Sequence, residues 1–157
     1  DWLDAEPQLF PPGDLDYIHS VERISKLSNV ISINGGVQLD LMGQENAESV
    51  GTRQLSGIGG QMDFLEGASR SKGGKGFICI NTSRVTKDGQ RKSNILATIP
   101  GGSTISAPRT MIQYVATEYG IASLSGKTLR ERAEALAPIV HPDFREELLK
   151  YARENFK

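Results

Sequence analysis

Cysteine is nearly absent from these 157 residues: Cys79 stands alone, so no disulfide can form within the chain. It sits in the apolar run Phe77-Ile78-Cys79-Ile80, where a buried, inert thiol is expected rather than a nucleophile or metal ligand. Histidine is almost as scarce. His19 and His141 are the only two, which excludes a histidine-rich metal site, and no metal is expected. No apolar run approaches the roughly 20 residues that a membrane-spanning helix needs, and no signal-peptide pattern opens the chain, so no membrane partner and a cytoplasmic location are expected. No block of like charge occurs either. Eighteen basic residues face 19 acidic ones for a net charge of −1, which leaves nothing to grip a phosphate backbone, and no nucleic-acid partner is expected. Both standard phosphate-loop patterns are missing, which argues against nucleotide hydrolysis. Internal repeats and low-complexity tracts are missing too.

What is present is a glycine loop. Ser56-Gly57-Ile58-Gly59-Gly60-Gln61-Met62-Asp63-Phe64 places three glycines in four positions and then passes into Met62, Leu65 and Ala68, the buried stripe of a helix. Without Cβ atoms such a loop lays its backbone N–H groups open to an anionic ligand at the start of that helix, although a glycine-rich turn also serves simply for close packing. With 38% hydrophobic and 24% charged residues, the chain suits one domain over residues 1–157. Residues 1–13, which begin without methionine and become proline-rich from Pro7, read as an extension or linker at the start of a domain cut from a longer enzyme. A processed chain would look the same.

The spacing predicts a helix after Asp14 or Asp16, with Ile18, Val21, Ile24 and Leu27 facing inward and an end near Asn29. Residues 30–33 and 37–41 are β-rich runs around Asn34-Gly35-Gly36, a composition that predicts an antiparallel hairpin. A second hairpin is expected between residues 77–85 and 93–99, turned by Lys87-Asp88-Gly89-Gln90. Residues 112–117 read as a central strand covered by helices. Thr128-Leu129-Arg130-Glu131 has capping-box spacing ahead of a helix that buries Leu129, Ala133, Leu136 and Ala137. A last helix starts at His141-Pro142-Asp143 and buries Phe144, Leu148, Tyr151 or Ala152. Together these elements predict an α/β domain, a three-layer α/β/α arrangement around a mixed sheet containing hairpins. Ligand sites in open α/β sheets lie beyond strand ends, which favours the glycine loop and the turn Thr117-Glu118-Tyr119-Gly120.

Glu118, directly after the apolar strand, is a candidate for a polar network in a site, or else an acceptor for nearby N–H groups. Asp63 reads as a complement to the positive end of its helix. Arg109 could hold a carboxylate or phosphate through its fork, yet the sequence favours an ordinary solvated or ion-paired arginine. Lys87, Arg91 and Lys92 flank the second turn and either meet a diphosphate or face water. His141 reads as a helix-start residue, and Ser56 has no histidine partner for a hydrolase pair.

In their order along the chain, several segments resemble the C-terminal domain of the acetyl-CoA hydrolase/transferase family, from about residue 16 to residue 148. They are Ile33-Asn34, Gln38-Leu39-Asp40, Met42-Gly43-Gln44, Glu48-Ser49-Val50-Gly51-Thr52, the glycine loop through Phe64, Gly67-Ala68, Gly73-Gly74-Lys75-Gly76, Pro108-Arg109-Thr110, Tyr114-Val115-Ala116-Thr117-Glu118-Tyr119-Gly120, Leu129-Arg130-Glu131-Arg132-Ala133 and His141-Pro142-Asp143-Phe144.

The resemblance implies a class I CoA-transferase fold, similar to the NagB/RpiA type. It also implies transfer of CoA between small carboxylic acids of the 4-hydroxybutyrate, butyrate and acetate kind, with coenzyme A as a substrate and no other cofactor. In that family a glutamate carries the acyl group and then CoA. This nucleophile lies upstream of the part matched here, so none is expected in this chain, which alone should be inactive and should need the N-terminal half of its enzyme. The resemblance further implies that the Gly60 N–H, with Gly59 beside it, is an oxyanion-hole donor, that Glu118 is an auxiliary active-site glutamate, and that Lys92 contacts CoA. Ile18-His19-Ser20-Val21 and Asn94 depart from the pattern, where relatives often carry an Asn followed by His-Pro or Asn-Pro, and a basic residue. An acetyl-CoA hydrolase, and a non-catalytic CoA-binding or oligomerisation domain, are the alternative readings, and a homo-oligomer is compatible with each.

Overall fold

The computed structural model describes residues 2–156. Helix α1 (Trp2–Ala5), a 3-10 turn (Pro7–Leu9), α2 (Leu15–Ile18) and α3 (Val21–Lys26) lead into β1 (Ile31–Gly35). Next come β2 (Gln38–Asp40), β3 (Glu45–Asn46), β4 (Ser49–Val50), β5 (Arg53–Gln54), α4 (Gln61–Arg70), β6 (Lys75–Cys79), β7 (Ser83–Val85), β8 (Arg91–Ser93) and β9 (Ile95–Leu96). The chain closes with β10 (Tyr114–Thr117), β11 (Gly120–Ser123), α5 (Leu129–Leu136), a second 3-10 turn (Ala137–Ile139) and α6 (Pro142–Asn155).

The large sheet has the order β1-β6-β10-β11, with β1, β6 and β10 parallel and β11 antiparallel to β10. A small sheet, β3-β2-β9, packs beside it, and β4/β5 and β7/β8 form two-stranded ribbons. The α/β class and the mixed sheet are as expected from the sequence.

The first expected hairpin does not form. Gly36 N–H still donates to Cys79 O (2.9 Å), the last rung of the parallel ladder with β6, and Val37 N–H already donates to Asn46 O (2.9 Å) in the small sheet. Asn34-Gly35-Gly36 therefore carries the chain from one sheet into the other instead of reversing it. The Asp-Gly turn does form, with Thr86 N–H donating to Gln90 O at 2.8 Å. Its arms are only β7 and β8, because residues 75–79 are claimed by the large sheet and residues 95–96 by the small one.

The helix expected from residue 14 to 29 is two helices, broken at His19-Ser20, where the Ser20 hydroxyl accepts from Arg23 N–H (3.4 Å) and starts α3. Ile24 is buried, but Ile18 and Leu27 are exposed: the break separates Ile18 from the face of α3, and α3 ends at Lys26, so Leu27 is already extended. The other helices start as their sequences predict. Thr128 and Glu131 exchange both bonds of a capping box at α5, and Asp143 N–H donates to His141 Nδ1 (3.3 Å) at α6.

Asp40, one of the residues that carried the family resemblance, and Asn46, which was not one of them, hold the small sheet's turns. Asp40 Oδ1 accepts from Met42 N–H (3.0 Å) and Gln44 N–H (2.9 Å), and buried Asn46 accepts from Glu48 and Ser49 N–H while donating to Gln38 Oε1 (3.1 Å). Such side chains replace the ladder bonds that a short strand leaves unmade.

One core joins Leu65 of α4, Ile78, Val115 and Ala122 of the large sheet, Leu39 and Ile95 of the small sheet, Leu136 of α5 and Leu148 of α6. Each fully buried aliphatic side chain stabilises the fold by roughly 1.5–3 kcal/mol of transfer free energy. These partners all sit on one face of the large sheet. On the other face, among the described residues, Ile33 is 68% and Ile121 64% exposed, and Phe77 stacks on Tyr114 with ring centroids 5.0 Å apart. Strand alternation assigns Cys79 to this second face. It is exposed and not buried as the apolar run suggested, since only Ile78 and Ile80 of that run point into the core.

Candidate active site

Because β1, β6 and β10 are parallel, their carboxyl ends share one edge. Helix α4 returns to β6 through residues 71–74 only, so the opposite end of α4, with Gly59 and Gly60 ahead of it, lies toward that same edge. The topology thus turns both segments that the sequence singled out toward the edge where open α/β sheets bind ligands, but within this chain they line separate concavities: Gly59 lines one of about 340 Å³ with Leu15, Asp16, His19 and Asp63.

A groove of about 310 Å³ opens along the edge, lined by Gly36, Cys79, Asn81, Thr117 and Glu118 among others. Glu118 stands in the turn between β10 and β11 and is exposed. Thr82, just past β6, grips it: Thr82 Oγ1 donates to Glu118 Oε1 at 2.6 Å, and Thr82 N–H donates to both oxygens, at 3.2 and 3.0 Å. Burial pushes the Glu118 carboxyl up, but the Thr82 hydroxyl and backbone bonds, with nearby His141, outweigh it and hold the group below its ordinary value. Glu118 is thus a fixed anion at the groove.

Gly59 adopts φ +58°, which a side chain would resist, and Gly60 precedes α4 as its N-cap with no side-chain cap. Neither N–H is bonded to another described residue. Gly60 is crowded from outside: a methyl group on it would lie 2.5 Å from His19 Cε1. From inside, the first residue of α4, Gln61, donates its amide to buried Glu45 Oε2 at 2.7 Å.

Glu45 was not foreseen. It is wholly buried, and burial, with repulsion from Glu48, pushes its carboxyl up to about 7 against the opposing Gln61 bond. Thr82 was also missed. It follows the apolar run of β6, and an assignment of β6 as a parallel strand would have marked it as a strand-end residue. Glu45 gave no comparable signal.

Lys92 stands elsewhere. It is exposed on β8, opposite Arg84, and is not among the residues lining the groove. Its ribbon is nevertheless rooted beside Thr82, whose carbonyl accepts from Asn94 N–H (2.8 Å), and the Arg84 guanidinium donates to the Asn94 side chain. Arg109 is exposed, and its carbonyl accepts from the buried Arg132. A further concavity, of about 290 Å³, lies between α6 and β9 and is lined chiefly by apolar residues such as Leu96, Phe144 and Tyr151. It lacks the strand-end chemistry of the groove.

Residues 1–152 match the profile of the acetyl-CoA hydrolase/transferase C-terminal domain. The chain belongs to this family. As an acetyl-CoA hydrolase/transferase C-terminal domain, it is 44% identical over 154 residues to the butyryl-CoA:acetate CoA-transferase of Anaerostipes caccae, an alignment spanning 98% of this chain and 34% of that protein. It is 46% identical over 142 residues to the 4-hydroxybutyrate coenzyme A transferase of Clostridium kluyveri, spanning 90% and 32%. Among solved structures, RipA from Yersinia pestis superposes with a TM-score of 0.78 at 37% identity, covering 88% of this chain and 30% of that one. The domain spans about a third of the length of these relatives.

Proposed function

We propose that the chain is the C-terminal part of a CoA-transferase that moves CoA between small carboxylic acids of the butyrate, 4-hydroxybutyrate and acetate type. The observation that carries this reading is that a free pair of glycine N–H groups and a fixed carboxylate, Glu118, both lie toward the edge where three parallel strands end. Covalent transfer through an enzyme glutamate keeps the thioester's energy in hand until an acceptor arrives. The glutamate, supplied from outside this chain, attacks the acyl-CoA carbonyl and expels CoA thiolate, leaving a mixed anhydride. The thiolate then attacks the glutamyl carbonyl, releasing the first carboxylic acid and forming a glutamyl-CoA thioester, which the acceptor carboxylate takes apart in reverse order.

Each step passes through a tetrahedral oxyanion. The N–H of Gly60, with Gly59 beside it, meets that charge at the start of α4. Glu118, held by Thr82, positions the nucleophile and shapes the carboxylate pocket, and Lys92, on the ribbon above, reaches CoA. No metal and no cofactor other than CoA as substrate enters the scheme, and neither a membrane nor a nucleic acid is a partner in it. The N-terminal half of the same enzyme completes the site, with a homo-oligomer compatible with it. No helix among the described residues is long and apolar enough to cross a membrane, and a cytoplasmic location suits the CoA substrates.

The test is the full-length protein incubated with acetyl-CoA and butyrate, following butyryl-CoA and total thioester together. Formation of butyryl-CoA at constant thioester supports transfer. Thioester loss without butyryl-CoA identifies a hydrolase, and CoA binding with neither reaction leaves a binding or oligomerisation module.

A further inference from the structure

A buried acid lies behind the glycine loop and has no role in the scheme above. Glu45 is 0% exposed, and its two oxygens have different fates. Oε2 accepts from the Gln61 amide at 2.7 Å, whereas Oε1 is buried with no hydrogen-bond partner among the described residues. Oε1 borders Gly36 and Ile78. It lies 3.2 Å from where a Cβ on Gly36 would be, and Ile78 Cγ2 lies 3.1 Å from the same point. Gly36 in turn lines the groove that holds Glu118. Gln61, 7% exposed, follows Gly60 directly and opens α4. One buried side chain therefore links the groove floor, at the end of β1, to the helix start that carries the free N–H pair.

We propose that Glu45 is a positioning residue for the glycine loop, holding Gln61, and through it Gly60, at a fixed place relative to the groove. The inference rests on the transferase reading above, since it takes the Gly60 N–H as the donor being positioned.

The state of the acid follows from its neighbours. Ile78 of β6 is apolar, Gly36 carries no side chain, Gln61 of α4 is neutral, and the one charge acting on the carboxyl is the like-signed Glu48, after β3. Burial raises the carboxyl to about 7, so Glu45 works as the neutral acid below neutrality. An ionised Glu45 has to be hydrated. It gains water only by admitting it beside Gly36 or by withdrawing from Gln61, and either change loosens the loop. Misplacing an oxyanion donor costs turnover more than ground-state affinity.

The experiment compares the full-length enzyme with its Glu45→Gln and Glu45→Ala variants, measuring kcat and KM for acetyl-CoA with butyrate as acceptor from pH 5.5 to 8.5. Glu45→Gln, which keeps the size and an acceptor oxygen but cannot ionise, should hold kcat within about twofold of wild type at pH 6 and abolish the alkaline fall that wild type shows near 7. Glu45→Ala should lose about tenfold or more in kcat with KM within about twofold. Hydrogen exchange read by mass spectrometry on the same proteins covers an alanine variant that folds poorly: amides of residues 57–64 should exchange faster in wild type at pH 8 than the intrinsic pH effect allows, and Glu45→Gln should remove the excess. An active wild type whose pH profile is unchanged by Glu45→Gln, with no excess exchange, overturns the inference and leaves the transferase reading intact. A wild type that transfers no CoA overturns the transferase reading itself.

Discussion

The imidazole of His19 stands 3.5 Å from the Asp63 carboxylate and directly over Gly60, with its ring edge on Phe64 at a centroid distance of 5.2 Å. Three residues at the start of α4 thus meet one side chain from the loop between α2 and α3. Asp63, read from the sequence as a complement to its helix end, also takes part in this contact. Gly60→Ala should push His19 aside and shift the loop, lowering kcat of the full-length enzyme by about 100-fold, the cost of a misplacement near 1 Å. His19→Ala in the same background should restore part of that loss, because it removes the obstruction. Equal kcat in Gly60→Ala and wild type would show that His19 yields without moving the backbone.

Glu118→Gln preserves an acceptor for Thr82 while deleting the charge at the groove. Transfer should fall by about 100-fold, within the range for a positioned carboxyl group, while melting temperature changes little because Glu118 is exposed. Thr82→Val, which keeps the backbone N–H bond but removes the 2.6 Å hydroxyl bond, should fall between the two. Steady-state kinetics beside thermal melts checks both.

The two acids titrate with opposite effects on folding. Glu45 has its folded value raised from 4.5 to about 7, so over that window the folded protein holds a proton that the unfolded chain has released. Stability from this group is therefore fully present below 4.5 and is lost as pH rises to about 7, at a cost of about 3 kcal/mol, taking about 1.4 kcal/mol per unit. Glu118, held low, contributes in the other sense: its stabilisation is present above its ordinary value and is lost as pH falls through the folded value. Urea melts of this chain at pH 5 and pH 8 should show a drop on the alkaline side, and Glu45→Gln should flatten it.

Arg132 is 9% exposed and donates to three backbone carbonyls: Arg109 O at 3.0 Å and Met42 O at 3.3 Å from Nη1, and Lys127 O at 3.3 Å from Nε. It ties α5 to the turn after β2 and to the segment before β10. Arg132→Ala should destabilise the fold by about 2–3 kcal/mol by orphaning those carbonyls and opening a void. A denaturant midpoint unchanged from wild type would refute this role.

The uncovered sheet face sets the behaviour of this chain in isolation. Ile33→Lys with Ile121→Lys should leave the melting temperature of the isolated chain within a few degrees and reduce its self-association, since both side chains are mostly exposed. Light scattering against concentration checks this.

Sequence alone determined what depends on neighbours along the chain. The capping box at Thr128, the proline start of α6, the Asp-Gly turn and the start of α4 after Gly60 are each fixed by residues within four positions, and each is where its local chemistry puts it. The motifs also placed Gly59, Gly60 and Glu118 beside loops. Tertiary structure decided what depends on pairing between distant segments. Residues 31–35 prefer β structure but cannot choose their own partner. β6, brought alongside by the crossover through α4, took the place that a hairpin arm would have filled, and this parallel register put Thr82 against Glu118 and exposed Cys79. Glu45 was illegible for the same reason: an acid between Gln44 and Asn46 looks solvated until the packing of Ile78, Gly36 and Gln61 removes its water.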